Sequence, residues 1–124
     1  MARISVIPLL KSRSLSAGDS STSNPIDLRY IANNGSFALA HSIAAGTSGT
    51  CGTTTFSYIG CAVEDGIYVS PASSGTFGTS GPSIIGQITP FTPVLTPFMK
   101  IITKQTGAGT AGANSVVTAE LFVQ

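Results

Sequence analysis

The apolar residues of this chain fall at every second position in several short runs, and no segment of ten residues keeps the period of an amphipathic helix. The pattern is clearest near the C-terminus, where four apolar residues share one parity: Val117, Ala119, Leu121 and Val123. Because successive side chains of a strand point to opposite faces, this segment predicts one buried face, with Thr118 and Glu120 on the other. We expect it to be a central strand of a sandwich.

The preceding segment alternates in the same way, with Met99 and Ile101 on one face and Lys100 and Lys104 on the other. A connection rich in glycine, threonine, alanine and asparagine separates the two segments, so together they predict a long-looped β-hairpin. If the register places either lysine opposite Glu120, the polar face of this hairpin carries a cross-strand ion pair.

A second hairpin is predicted around Asn33-Asn34-Gly35, because asparagine and glycine accept the positive φ angles of tight turns. Its strands are Ile26–Ala32 and Ser36–Ile43. In the first strand the alternation predicts one buried face, made of Ile26, Leu28 and Tyr30. In the returning strand, His41 falls on the apolar face, together with Phe37, Leu39 and Ile43.

A third hairpin is predicted around Glu64-Asp65-Gly66, with Phe56 and Tyr58 on one face of its first strand and a returning strand that begins at 67–69. Residues 70–82 are predicted to form a long exposed loop whose only large apolar residue is Phe77. An aromatic residue at the tip of a loop either packs back onto the protein or docks on a neighbour. Residues 83–89 then supply another strand.

These segments predict an all-β fold: a single-domain, jelly-roll-like β-sandwich of seven or eight short antiparallel strands. Residues 4–10 predict a short edge strand, which can accommodate Pro8. Residues 11–24 are polar, serine-rich and without period, so we assign residues 1–24 to an N-terminal arm and residues 25–124 to the sandwich domain.

The low content of charged residues argues against two classes of function. Only 9% of the 124 residues are charged and the net charge is +1, so neither a nucleic-acid-binding surface nor a site for acidic substrates is predicted. A surface with so few charges is typical of proteins that live in assemblies. The first ten residues predict neither a secretory signal nor a membrane span, because their apolar run is short and broken at Pro8.

No catalytic or metal-binding pattern is predicted. His41 is the sole candidate base, with Ser36, Ser42 or Cys51 as candidate nucleophiles and Asp27 as the orienting acid, but their spacing matches no known motif. A lone histidine among apolar residues is more often a packing residue. One histidine and two cysteines offer no metal-ligand spacing, so we expect no enzyme activity, no metal and no cofactor.

The two cysteines are predicted to be free thiols. Cys51 and Cys61 bracket a predicted strand that would hold them about 30 Å apart, far beyond the reach of a disulfide bond. The alternative is a bent segment that brings them together, since Gly52 and Gly60 could each turn the chain.

Two stretches carry a resemblance to a known class of protein: FSYIGCAVEDGIYVSP at Phe56–Pro71, and PFMKIITKQTG with VVTAELFVQ at the C-terminus. In a chain rich in serine, threonine and glycine, they resemble small virion proteins of tailed bacteriophages. The resemblance implies a structural subunit that forms homo-oligomers, with a trimer as one candidate, and that binds a major capsid protein or another virion protein without catalysis.

Within that class, the resemblance implies either a capsid decoration (cement) protein or a tail- or fibre-associated protein, for which a receptor- or glycan-binding adhesin is one candidate role. The absence of tryptophan argues against a sugar-stacking platform. We expect contact with the partner through the arm and through the loop that contains Phe77, with Arg3, Lys11 and Arg13 facing acidic groups of the partner. Neither a nucleic-acid nor a membrane partner is predicted, and the expected location is the virion.

Overall fold

The strands of the computed structural model form two antiparallel sheets, and the structure describes residues 4–16, 18–32, 35–45, 53–72, 75–80, 84–106 and 114–124. The described strands are β1 (Ser5–Ser16), β2 (Ser20–Thr22), β3 (Ile26–Asp27), β4 (Phe37–Ala45), β5 (Thr53–Cys61), β6 (Thr76–Ser80), β7 (Ile84–Phe91), β8 (Phe98–Thr106) and β9 (Asn114–Val123). One sheet has the order β1-β9-β4-β7 and the other β2-β8-β5-β6, with β3 also paired to β8. The predicted all-β sandwich is confirmed.

The pairing of the strands is nested along the chain. β5 pairs with β6, β4 with β7, β2 with β8, and β1 with β9, as in one long antiparallel ribbon folded at its middle. Rolling that ribbon onto itself creates two further pairings, β4 with β9 and β5 with β8, and separates the strands into two sheets. This arrangement is a jelly roll, as the sequence predicted.

The core lies between the two sheets and is filled by alternate residues of the central strands. In β9 the four residues of predicted inward parity are fully buried, each with 0% exposure. Met99 and Ile101 of β8 face them from the other sheet, with 0% and 2% exposure, and Phe56 and Tyr58 of β5 lie beside these two. The predicted faces of these three strands are therefore confirmed.

The predicted hairpin of residues 98–124 is wrong. β8 and β9 belong to different sheets, so no lysine lies opposite Glu120, whose cross-strand neighbours are Pro8 and Ala40. Alternation determines which face of a strand is buried, but it does not determine which strand lies beside it. Two segments that are consecutive in sequence can each pair with distant strands.

The predicted hairpin around Asn33-Asn34-Gly35 is also wrong. β3 is only two residues long and pairs with β8, whereas β4 pairs with β7 and β9. After β3 the chain turns, because the backbone amide of Ala32 donates to the carbonyl of Leu28 and Asp27 forms a two-bonded salt bridge with Arg29. Tyr30, predicted to be buried, is 81% exposed as a result. Asn33 and Asn34 lie outside the described residues.

Much of the predicted N-terminal arm belongs to the sandwich. The edge strand expected over residues 4–10 is present, but β1 continues to Ser16 with Leu15 only 3% exposed, and residues 20–22 pair with β8. Two register shifts, after Pro8 and after Leu10, and a positive φ of 47° at Ser12 interrupt the two-residue period. Because these bulges interrupt the alternation of apolar and polar residues, the sequence pattern does not predict the full length of the strand.

The long loop predicted over residues 70–82 contains β6, which pairs with β5. Phe77 lies in this strand and stacks on Phe91 of β7, with 3.7 Å between ring centroids and 9° between ring planes. Of the two alternatives for Phe77, packing back onto the protein is the one observed. The stack joins the edge strands of the two sheets and closes one side of the sandwich. The turn at residues 64–66 is present, but the strand expected after it is a single bridge between Val69 and Gly60.

Truncation of Phe77 tests the importance of this stack. We expect Phe77→Ala to lower the free energy of unfolding by about 2 kcal/mol, less than for a fully buried phenylalanine because the side chain is half-buried. Tyr30→Ala is the control, because its exposed ring predicts a change within about 0.5 kcal/mol. Urea denaturation followed by circular dichroism measures both, and equal small effects would contradict the role of the stack.

Candidate assembly interface

The two sheets of the sandwich present very different surfaces to solvent. On the sheet that contains β5 and β8, the outward positions are mostly hydroxyl-bearing or cationic: Ser20, Thr22, Thr53, Thr55, Ser57, Ile59, Lys100, Ile102, Lys104 and Thr106. We call this set the hydroxyl face. It follows the usual rule that the solvent side of an antiparallel sheet is polar.

The outward side of the other sheet does not follow this rule. Ser14, Ser16 and Asn114 make it polar where β9 begins, but the rest is mostly apolar, with three polar residues among twelve: Val6, Pro8, Ala38, Ala40, Ser42, Ala44, Ile88, Pro90, Val116, Thr118, Glu120 and Phe122. We call this set the outer face. Ile88 is 63% exposed and Val6 is 55% exposed, so large apolar side chains point into solvent.

Cross-strand register brings these residues into rows. Pro8, Glu120, Ala40 and Ile88 lie directly opposite one another across β1, β9, β4 and β7. At strand and residue spacings the outer face measures about 20 Å by about 25 Å, roughly 500 Å². Most of its residues are apolar, and contiguous exposed apolar patches of a few hundred Å² commonly mark interaction sites.

An open depression of about 520 Å³ lies within the outer face. Three small residues, Ala40, Ser42 and Gly86, line it together with larger side chains such as Ile88 and Glu120. Gly86 has a φ of 73° and lies where β7 shifts register against β4. Glu120 is the only acidic or basic side chain among the described residues that line this depression, apart from the imidazole of His41.

A second group of exposed apolar residues lies at one end of the sandwich, on the connections after β3, β5 and β7. Its members are Tyr30, Val63, Ile67, Val69, Val94 and Leu95, with exposures from 48% to 87%. Hydrogen bonds hold these connections together, since the amide of Val94 donates to the Tyr58 hydroxyl and that of Leu28 to the carbonyl of Pro97. We call this group the loop-end cluster.

The residues predicted to contact a partner do not form one surface. Lys11 and Arg13 are exposed on the bulged part of β1, and in the described ranges they make no salt bridge. Phe77 lies in β6, at an edge of the other sheet, and its ring is engaged with Phe91. Arg3 lies outside the described residues. A role of these four residues in partner binding stays a prediction.

The outer face was missed by the sequence analysis, although a signal for it was present. In β9 the outward parity includes Val116 and Phe122 as well as Thr118 and Glu120. A strand that is apolar on both parities is typical of burial on both faces. The small alanines of β4 make the same signal harder to recognise, because alanine is common at exposed positions too.

His41 is a packing residue of the core, on the predicted face of β4. It is 3% exposed, and its ring centroid lies 4.8 Å from that of Phe56. Burial lowers the pKa of His41 below its usual value, although hydrogen bonds with Leu39 and Gln87 partly oppose this. Ser42 points to the opposite side of the sheet, and Asp27 is paired with Arg29 in the other sheet.

Other chemical groups are sparse in the described part of the chain. Within it, no three histidine, cysteine, aspartate or glutamate residues are placed to hold a metal ion. Cys61 is a free thiol, and Cys51 lies outside the described residues. No described helix has the length and hydropathy needed to cross a membrane.

Comparison with solved structures identifies similar folds in a virus particle. A chain of infectious bursal disease virus, Gx strain, matches 97% of this chain with a TM-score of 0.50 and 15% identity. A chain of the T13 particle of the same virus matches 98% with a TM-score of 0.52 and 11% identity, and the Gt strain matches 97% with 0.51 and 16%. The fold is similar to that of virus-particle chains.

This chain spans about a third of those neighbours, between 31% and 32% of their length. The likeness therefore concerns one jelly roll within larger chains. No protein family and no curated protein matches the sequence.

The buried His41 predicts a loss of stability in acid. Because its pKa is lowered in the folded state, the unfolded chain binds a proton first, so stability is fully present above the ordinary histidine pKa of about 6.5 and falls as the pH drops below it. His41→Gln removes this titration, and we expect a smaller decrease in Tm between pH 7.5 and pH 5.5 than in the wild type. If Tm decreases as much in the variant as in the wild type, the titration of His41 is not the cause of the loss of stability. This comparison holds whatever the absolute Tm of the variant.

Proposed function

We propose that this protein is a non-enzymatic structural protein of a virion that attaches to the particle through the outer face. The observation that carries the proposal is a large apolar surface on one sheet of a jelly roll, in a fold similar to that of virus-particle chains. An apolar sheet face gains free energy when another protein covers it, by about 25 cal/mol for each Å² removed from water. Virions supply such a partner at high local concentration and in many identical copies.

Within this class we propose a capsid decoration, or cement, protein, which is the class implied by the resemblance to virion proteins of tailed bacteriophages. The contrast between the two sheets supports this role. A subunit on the outside of a shell needs one side that binds and one that faces solvent. The outer face suits the first, and the hydroxyl face, with Lys100 and Lys104, suits the second.

Contact between copies of the protein is part of this proposal. The loop-end cluster lies beside the hydroxyl face, where the Tyr68 ring contacts Lys100, and it exposes side chains such as Ile67, which is 87% exposed. Neighbouring copies on a shell could use it for lateral association, and closed symmetry would give a homo-oligomer. The major capsid protein is the proposed partner of the outer face.

A tail-associated adhesin is the alternative. The observation that favours it is Tyr30, whose ring is 81% exposed at the loop end and could stack on a sugar of a receptor. In that role the loop-end cluster binds the cell and the outer face attaches to the tail. The two roles differ in the position of the protein on the particle.

Binding to particles tests the proposal directly. We expect purified protein to cosediment with virus particles that lack it, and electron microscopy of a tagged copy to place the label over the head shell. Ile88→Asp places a charge on the outer face, so we expect at least tenfold weaker cosedimentation with an unchanged Tm, because the side chain is exposed.

Ile67→Asp is the matched control, because it makes the same change at another exposed isoleucine. At low occupancy of the particle, where bound copies have no neighbours, it is expected to bind nearly as well as the wild type. Loss of binding in Ile67→Asp alone would move the attachment site to the loop-end cluster. Label confined to the tail would contradict the decoration role and support the adhesin.

A further inference from the structure

We propose that the outer face binds a protein surface that is apolar and carries a lysine or arginine, and that this cationic side chain enters the depression and pairs with Glu120. The inference deepens the proposed function, on which it rests for the identity of the partner, because it states what the particle must present. It is carried by the position of Glu120, the one charged member of the outer face, in a row whose other residues are Pro8, Ala40 and Ile88.

Glu120 stands alone in the middle of the outer face. Its cross-strand neighbours are Pro8 on one side and Ala40 on the other, with Ile88 beyond Ala40 in the same row. The carboxylate is exposed, and among the described residues no lysine or arginine forms a salt bridge with it. In the isolated protein it is therefore satisfied by water.

Covering the outer face would remove that water. A carboxylate buried without a partner costs several kcal/mol, so an apolar partner surface without a cation would bind poorly. A partner that supplies a lysine or arginine replaces the lost hydration with a charge-assisted hydrogen bond. The surface is thus built to reject a purely apolar partner and to accept one with a matching cation.

The depression beside Glu120 fits the shape of such a side chain. Its lining includes three small residues, Ala40, Ser42 and Gly86, and the larger Ile88. The aliphatic stem of a lysine or arginine can lie along these apolar atoms while its charged end reaches the carboxylate. A volume of about 520 Å³ is ample for one long side chain.

The same charge argues against a second copy of the chain as the occupant. Two outer faces placed together would bring two carboxylates into one apolar interface, because the exposed Lys11 and Arg13 belong to the bulged part of β1 and not to the outer face. Like charges across an interface weaken association. The partner is therefore a different surface, with the opposite charge.

Charge variants of Glu120 test this inference in the particle-binding assay. We expect Glu120→Gln to bind particles about tenfold more weakly than the wild type, and Glu120→Lys to show no measurable binding, because it places like charges together. Glu64→Gln is the matched control, since it removes an exposed acid from the turn after β5, and its binding should be unchanged. Circular dichroism and Tm confirm that each variant is folded.

The outcomes separate this inference from the proposed function. If the wild type does not bind particles at all, the proposed function fails and this inference fails with it. If the wild type binds but Glu120→Gln binds equally well or more tightly, only the inference is overturned. If sedimentation equilibrium shows that the wild type dimerises, that Ile88→Asp prevents it and that Glu120→Gln strengthens it, the occupant is a second copy, which also overturns the inference.

Discussion

The ladder between β4 and β9 is the constraint on which the rest of the structure depends. It pairs Phe37 with Val123 at one end and Ala45 with Ser115 at the other, across most of the length of the chain. Without it and the β5–β8 ladder of the other sheet, the strands would form only a folded ribbon, with no enclosed core. Once it forms, β1 and β7 are held at the two edges of the same sheet, and the second sheet is brought beneath it. Such distant pairing must pay the entropy of closing a long loop.

The same ladder produces both the core and the outer face. Inward residues of β4 and β9 fill the sandwich, and their outward neighbours, such as Ala40 and Phe122, form the centre of the apolar surface. If β9 shifted by one residue against β4, its inward and outward residues would change places. Both sets are largely apolar, so burial of apolar residues alone opposes this shift only weakly. Glu120 opposes that exchange, because a slip would carry its charge into the core. One residue thereby serves both the register and the specificity of the surface.

Alternation of apolar and polar residues was sufficient to predict the buried faces of the strands, but it did not predict which strands are neighbours. The buried faces of β5, β8 and β9 followed from their two-residue period, and the sandwich class followed from the number of such strands. Pairing partners did not follow, because consecutive strands were assumed to be neighbours although β8 and β9 lie in different sheets. The bulges of β1 erased its period, and the two-residue β3 was too short to show one.

The candidate site was harder to predict than the fold, because no single segment contains it. Val6, Ile88 and Glu120 are unremarkable in their own strands, and they become one surface only when register places the strands side by side. The solvent-facing sides of the two sheets can be compared only after each strand has been assigned to a sheet. The contrast between the apolar outer face and the hydroxyl face is therefore a property of the assembled jelly roll.

The most direct test of this account is a cryo-electron microscopy reconstruction of the protein bound to its particle, at a resolution that separates the two sheets. The account predicts that the sheet β1-β9-β4-β7 lies against the particle, with Glu120 beside a cationic side chain of the partner and the hydroxyl face in solvent. A reconstruction in which the hydroxyl face is covered and the outer face is exposed would contradict it.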